Sequence, residues 1–152
     1  MAESVAGSLR ERRRVAGMSQ RDLARASGVA QPNIAAYESG RRAPSVQTLA
    51  KLDAGLSTLT LERVRSFRSQ ILEAAARHRL ADVRVFGSVA RGEATAGSDL
   101  DLLVHPGIDA SLFDLAAFMV DVEAILGVSV DVVSDASDGR VADLGRAEAI
   151  AL

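Results

Sequence analysis

Cysteine is absent from the 152-residue sequence. That excludes disulfides and thiolate metal sites, and nothing else in the chain calls for an oxidising compartment. Aromatic residues are scarce, at 3% with no tryptophan and a single tyrosine, so stacking on single-stranded bases is poorly supported. No uncharged run approaches the roughly 18 residues of a membrane span, and the opening MAESVAGSLRERRR lacks the apolar stretch of a signal peptide. The expectation is a cytoplasmic protein with no membrane partner. Lysine is nearly missing as well, since the basic residues are 17 arginines and one lysine.

What is present is an ordinary globular composition, 48% apolar and 25% charged, at a length that suits one domain or two small ones. The charge distribution favours two. Residues 1–80 carry 14 Arg and Lys against 7 Asp and Glu, whereas residues 81–152 carry 4 against 13. The net charge of −2 conceals a dipolar chain. A basic half suits a polyanionic partner, and an acidic half suits bound cations or a basic partner.

The basic half reads as short helices. Val5, Leu9 and Val15, with arginines between them, predict a first helix from Val5 to Ala16, stopped by Gly17. Ser19 followed three residues on by Asp22 predicts a capping box for a second helix that Gly28 ends. A third begins near Gln31, with Pro32 in its first turn, and closes at Gly40; a fourth opens at Pro44-Ser45 with Val46, Leu49, Leu52 and Leu56 at helical spacing. Two short helices around a tight glycine turn make a helix-turn-helix, whose second helix can enter a major groove. The stretch MSQRDLARASGVAQPNIAAYESGRRAPS resembles the lambda-repressor and Cro-like regulators, the XRE family, over about residues 5 to 58. By that resemblance Gln31, Pro32 and Asn33 stand at the base-facing start of the recognition helix, where Gln and Asn can pair bidentately with adenine. Arg41 and Arg42, just past it, would contact phosphates. The alternative is a helical bundle for protein contacts, with the arginines as a solvated face. Leu61 to Arg79, with Val64, Phe67, Ile71, Leu72 and Ala75 on one face, predicts a long connecting helix. The expected organisation is 1–58, a helix-turn-helix domain; 59–80, the connecting helix; and 81–152, a second domain.

The acidic half carries the chemistry. Asp82 to Phe86 alternates as a strand and runs into Gly87-Ser88; Asp99 to Val104 is a second strand, with Asp99 and Asp101 on one face; Val128 to Val133 is a third and contains Asp131. Carboxylates on adjacent apolar strands are costly unless paired. Mg²⁺ resolves this, because it takes one or two carboxylates together with substrate phosphates. Gly87 lets backbone approach a phosphate, and Ser88 offers a hydroxyl and an amide at a helix start. Gly-Ser, ten residues, then Asp-x-Asp, in GSVARGEATAGSDLDLLV, resembles the polymerase-beta-like nucleotidyltransferases and is similar to their minimal (MNT) subgroup over about residues 70 to 133. The resemblance implies transfer of AMP from ATP, with Asp99, Asp101 and Asp131 holding two Mg²⁺ ions, Asp131 helping to deprotonate the acceptor, Gly87 and Ser88 gripping the triphosphate, and Arg91 neutralising phosphate charge. His78 and His105 stand alone and are read as structural or surface residues; Ser98 is read as a turn or cap residue, and Asp135 as a loop residue.

Ser111 to Leu126 predicts an amphipathic helix, with Leu112, Leu115, Met119, Val122 and Leu126 facing the sheet, and past Val133 at most a short helix is expected. The expected fold is α+β: an all-α helix-turn-helix bundle, a long connecting helix, and a small mixed sheet with helices. A chain this short leaves no acceptor domain, so the acceptor is expected on another macromolecule. MNT proteins resemble one half of two-component systems whose other half is a HEPN-type toxin. The leading expectation is therefore an antitoxin and transcriptional autoregulator. It would bind double-stranded operator DNA and adenylylate a hydroxyl, a tyrosine's in studied pairs, on the HEPN partner, as a homodimer or as a hetero-oligomer with the toxin. The alternatives are a repressor whose inactive nucleotidyltransferase domain senses nucleotide or grips the toxin, and a small-molecule nucleotidyltransferase, against which the short C-terminus argues.

Overall fold

The computed structural model describes residues 2–152, with side chains described from Ala6 onward. The chain divides into two compact units, Met1–Thr60 and Leu61–Leu152. No helix among the described residues is long and apolar enough to cross a membrane.

The first unit holds α1 (Ala2–Val15), α2 (Gln20–Ser27), α3 (Gln31–Glu38) and α4 (Val46–Leu56). Local signals place these ends. Ser19 accepts the Asp22 amide while its own amide donates to Asp22 Oδ2, Gly28 closes α2 at φ 71°, and Ser45 caps α4. Leu9, Met18, Leu23, Ile34, Tyr37, Leu52 and Leu56 form the core. Two residues expected in it are outside. Val15 is 77% and Val46 84% exposed, because at about 100° per residue neither lies on the stripe of Leu9 or of Leu52 and Leu56; Ala16, one position on from Val15, is buried instead. Val5, expected beside them, lies outside the described side chains.

The second unit begins with α5 (Leu61–Ser66) and α6 (Arg68–Arg77). The stretch expected as one long helix is thus divided at Phe67, whose φ of −101° and ψ of 11° leave the helical region. There follow β1 (Leu80–Phe86), α7 (Gly87–Arg91), β2 (Leu100–Pro106), α8 (Leu112–Leu126), β3 (Val130–Ser134), α9 (Arg140–Glu148) and β4 (Ile150–Ala151). The sheet runs β3-β2-β1-β4, with β2 and β3 parallel and the other pairs antiparallel, so it is mixed and the unit is α+β. One sheet face, with Leu100, Leu102, Val104 and Val85 fully buried, is covered by α6 and α8. The other carries Asp101, Leu103 and Phe86, and α9 lies on it, Gly145 being seated against Leu103 and Phe86. The apolar face of α8 is rotated from expectation: Asp114, Phe118, Val122 and Leu126 are buried, while Leu112 is 81% exposed.

Candidate functional site

β1 delivers the chain into a sharp turn. Gly87 has φ 70°, and a side-chain carbon added there would fall well inside contact distance of Asp101 Oδ2 and 3.1 Å from its Cγ. Glycine is required twice over, by the left-handed backbone and by the carboxylate packed on it. The register then assembles the acids. Phe86, the residue before the turn, pairs with Asp101 of β2, and Asp101 pairs with Asp131 of β3. Asp99, expected as the first residue of this strand, stands just before β2 begins at Leu100, and its charge still acts on Asp101. Asp101 is half-buried, whereas Asp99 and Asp131 are exposed. Burial pushes the Asp101 carboxyl up from its ordinary value, and the charges of Asp131, Asp99 and Glu148 push it further; Arg91 opposes them. Like charges are therefore held together with too little positive charge to balance them.

Among the described residues no three acidic or imidazole side chains converge tightly enough to enclose a metal by themselves. The carboxylates nonetheless suit a hard cation of the Mg²⁺ type, which takes one or two of them and fills its remaining positions with water and phosphate oxygen. The Gly87 turn carries no side chain, and the space one would take is filled by the Asp101 carboxylate. Ser88, half-buried, follows as the second residue of α7.

Arg91, expected as a phosphate contact, is already engaged. Its Nε donates to Glu93 Oε2 at 2.8 Å and its Nη1 to both Glu148 oxygens at 3.0 and 3.1 Å. Sequence reasoning missed both acids. Glu93 lies two residues past Arg91 and was legible as a neighbour; Glu148 comes from α9, 57 residues away, with no signal in the chain to link it. Of the residues set aside as structural, the two histidines tie elements together and Ser98 bonds within its own loop. His78 Nε2 meets Asp121 Oδ2 at 2.7 Å, His105 Nδ1 meets Asp135 Oδ1 at 2.9 Å, and Ser98 Oγ accepts the Thr95 amide at 2.9 Å. Asp135 also takes Arg84 Nη2 at 2.6 Å.

In the first unit, Gln31 opens α3 and its Nε2 donates to Gln20 Oε1 at 2.8 Å. Gln20 Nε2 donates in turn to Glu38 Oε2 at 2.9 Å, and Glu38, buried, receives Arg13 through Nε at 2.6 Å and Nη2 at 3.0 Å. Burial pushes the Glu38 carboxyl up, but the bonds from Arg13 and Gln20 and the charges of Arg13 and Arg10 bring it below its ordinary value. A fixed carboxylate thus orients Gln20, and Gln20 orients Gln31. Pro32 is exposed and Asn33 half-buried beside it, while Arg41 and Arg42 stand exposed in the turn after α3. Gln20 and Glu38 are among the residues that carry the helix-turn-helix resemblance, but the bonds that join them to each other and to Gln31 were not expected from the sequence.

Comparison with known proteins agrees with both units. Residues 9–62 match the helix-turn-helix family and residues 67–146 the nucleotidyltransferase domain family. A Methanocaldococcus jannaschii protein assigned as a protein adenylyltransferase is 34% identical over 71 residues, 47% of this chain and 76% of that protein. The protein adenylyltransferase MntA of Thermococcus cleftensis is 36% identical over 83 residues, 54% of this chain and 84% of that one. A solved structure described as a minimal nucleotidyltransferase is 45% identical with a TM-score of 0.55, covering 62% of this chain and 97% of its own. More than half of this chain lies within one family match, and it belongs to the nucleotidyltransferase domain family, joined in a single polypeptide to a helix-turn-helix domain.

Proposed function

We propose that this protein is an antitoxin and autoregulator. It binds operator DNA through residues 1–58 and, through residues 81–152, transfers AMP from MgATP to a tyrosine hydroxyl on a HEPN-type partner; residues 59–80 connect the two functions. One observation carries the transferase half: the Phe86–Asp101–Asp131 register, with Gly87 packed on Asp101 and Asp99 within electrostatic reach of it. The names of the two relatives as protein adenylyltransferases support the acceptor class. The buried Glu38 that fixes Gln20, and through it Gln31, supports the DNA half.

The acceptor oxygen attacks the α-phosphorus in line, the new O–P bond forms, and the bond to the β-phosphate bridging oxygen breaks to release pyrophosphate. Asp131, exposed at the start of β3, takes the hydroxyl proton. Gly87 and Ser88 hold the triphosphate through backbone amides and the Ser88 hydroxyl. Asp99, Asp101 and Asp131 would hold one or two Mg²⁺, which when bound offset the phosphate charge and stabilise the attacking and leaving oxygens.

The test is co-expression with the product of the neighbouring small open reading frame, followed by labelled ATP and mass spectrometry of its tyrosines. Wild type is expected to modify the partner, and Asp99→Asn and Asp101→Asn to lower transfer by about 100-fold or more. Modification that persists in both variants refutes the site. Wild type that transfers nothing favours an inactive domain that only grips its partner.

A further inference from the structure

Arg91 has one carboxylate partner beside it in sequence and one near the end of the second unit, 57 residues away. Glu93 meets Nε and Glu148 meets Nη1, while Nη2 takes part in neither pair. Glu148 is the more enclosed, its side chain 23% exposed against 62% for Glu93. Backbone pairing sets its place. Glu148 ends α9, and two residues later Ile150 pairs with Val85 of β1, Ala151 pairs with Arg84, and the Leu152 amide donates to the Val83 carbonyl at 3.1 Å. The C-terminal segment is thus fastened along the strand that delivers Gly87. The Arg91–Glu148 pair also stands within electrostatic reach of Asp101, on which its two members act in opposite directions.

More carboxylates beside Asp99, Asp101 and Asp131 are unfavourable unless they hold a cation in place, and the cation they hold is Arg91. A lone surface arginine samples many rotamers; one clasped on two sides is ordered before a ligand arrives, so less entropy is lost on binding. We infer that Glu148 is a positioning residue, presented by α9 and β4, that fixes the Arg91 guanidinium beside the Gly87–Ser88 turn so that its remaining N–H groups meet the triphosphate tail of a bound nucleotide. The inference rests on the nucleotide-transfer reading and adds the C-terminal segment to that site.

The experiment is equilibrium binding of MgATP and of AMP, by calorimetry, to the full chain and to Glu148→Gln, Arg91→Ala and the double variant, with thermal melts to establish folding. Glutamine keeps the side chain's shape, so the fold is retained. Glu148→Gln is expected to weaken MgATP by about 3- to 10-fold, the scale of weakening one charge-assisted contact, and AMP far less. In the Arg91→Ala background the same change is expected to add nothing, because its effect passes through Arg91. Wild type that binds MgATP while Glu148→Gln binds it equally, binds it more tightly, or weakens it additively with Arg91→Ala overturns the inference and leaves the transferase reading standing. Wild type that binds no MgATP overturns both.

Discussion

At the scale of single residues, Gly87 separates stability from function. Its φ of 70° is open to glycine at little cost, and alanine there loses on the order of 1 kcal/mol in the left-handed region. The steric conflict is of another kind. The nearest atom is the end of the Asp101 side chain, which can turn aside, so the fold tolerates the methyl group while the carboxylate leaves its position between Gly87 and Asp131. Gly87→Ala is therefore expected to melt only a few degrees below wild type, yet to lose MgATP binding and transfer by more than about 10-fold. Melts and calorimetry on the same preparation check it. A variant that melts like wild type and binds MgATP equally well shows that the Gly87–Asp101 contact has no part in the site.

At the scale of elements, the start of α8 is held by an acid. Asp114 Oδ2 accepts the Ser111 amide at 2.7 Å and the Ser111 hydroxyl at 2.9 Å, and Arg79 Nη2 donates to both Asp114 oxygens at 3.1 and 3.2 Å. The Ser111 backbone and side-chain bonds, followed by Arg79, bring the Asp114 carboxyl from its ordinary 3.8 to about 2. A lowered carboxyl contributes stability that is present above its unfolded value and is lost as pH falls through the folded one. Asp114→Ala is thus expected to melt several degrees below wild type at neutral pH, the gap narrowing below about pH 4 and closing near pH 2; melts across that range decide it, and a gap constant with pH excludes the carboxylate as its source. The same helix shows what the sequence makes legible. Ser111, Asp114 and the following apolar run announce a helix, but the apolar residues are spread around it, so the buried side could not be chosen from Leu112, Leu115 and Met119. The caps at Ser19, Gly28 and Ser45 were readable because they are written within four residues, and Gly87, Ser88, Asp99 and Asp101 because they share one short motif. Asp131 needed only alternation within its own strand. Glu148 and β4 were not readable, since a two-residue strand has no period and its meaning arises only from pairing with β1. The Gln20–Glu38 bond was hidden likewise, as a link between the end of α3 and the start of α2 exists only once both helices pack.

At the scale of the whole molecule, the charge division corresponds to two chemistries in separate sequence ranges, and these should be separable by mutation. In the first unit Arg41 and Arg42 are exposed and free of ion pairs with described residues, whereas Arg13 is consumed by Glu38 and Arg12 pairs with Asp53 at 2.8 Å. Phosphate contacts release counterions, so each one lost lowers the slope of log affinity against log salt by about 0.9. Arg41→Ala with Arg42→Ala is expected to weaken binding to DNA from upstream of the protein's own coding sequence and to flatten that slope by about 2. If Gln31 reads a base as proposed, Gln31→Ala is expected to cost about 1–3 kcal/mol on the specific site with the slope unchanged. Asp101→Asn, silent in transfer, should retain the wild-type slope and specific affinity, because its carboxylate belongs to the other unit. Mobility shifts over a salt series, on specific and scrambled duplexes, measure all three. An Arg41/Arg42 variant with the wild-type slope takes the phosphate-contact role away from those arginines, a Gln31 variant that weakens both duplexes equally takes the base-reading role away from Gln31, and a wild-type protein that shifts neither duplex leaves the helical bundle as a protein-contact surface.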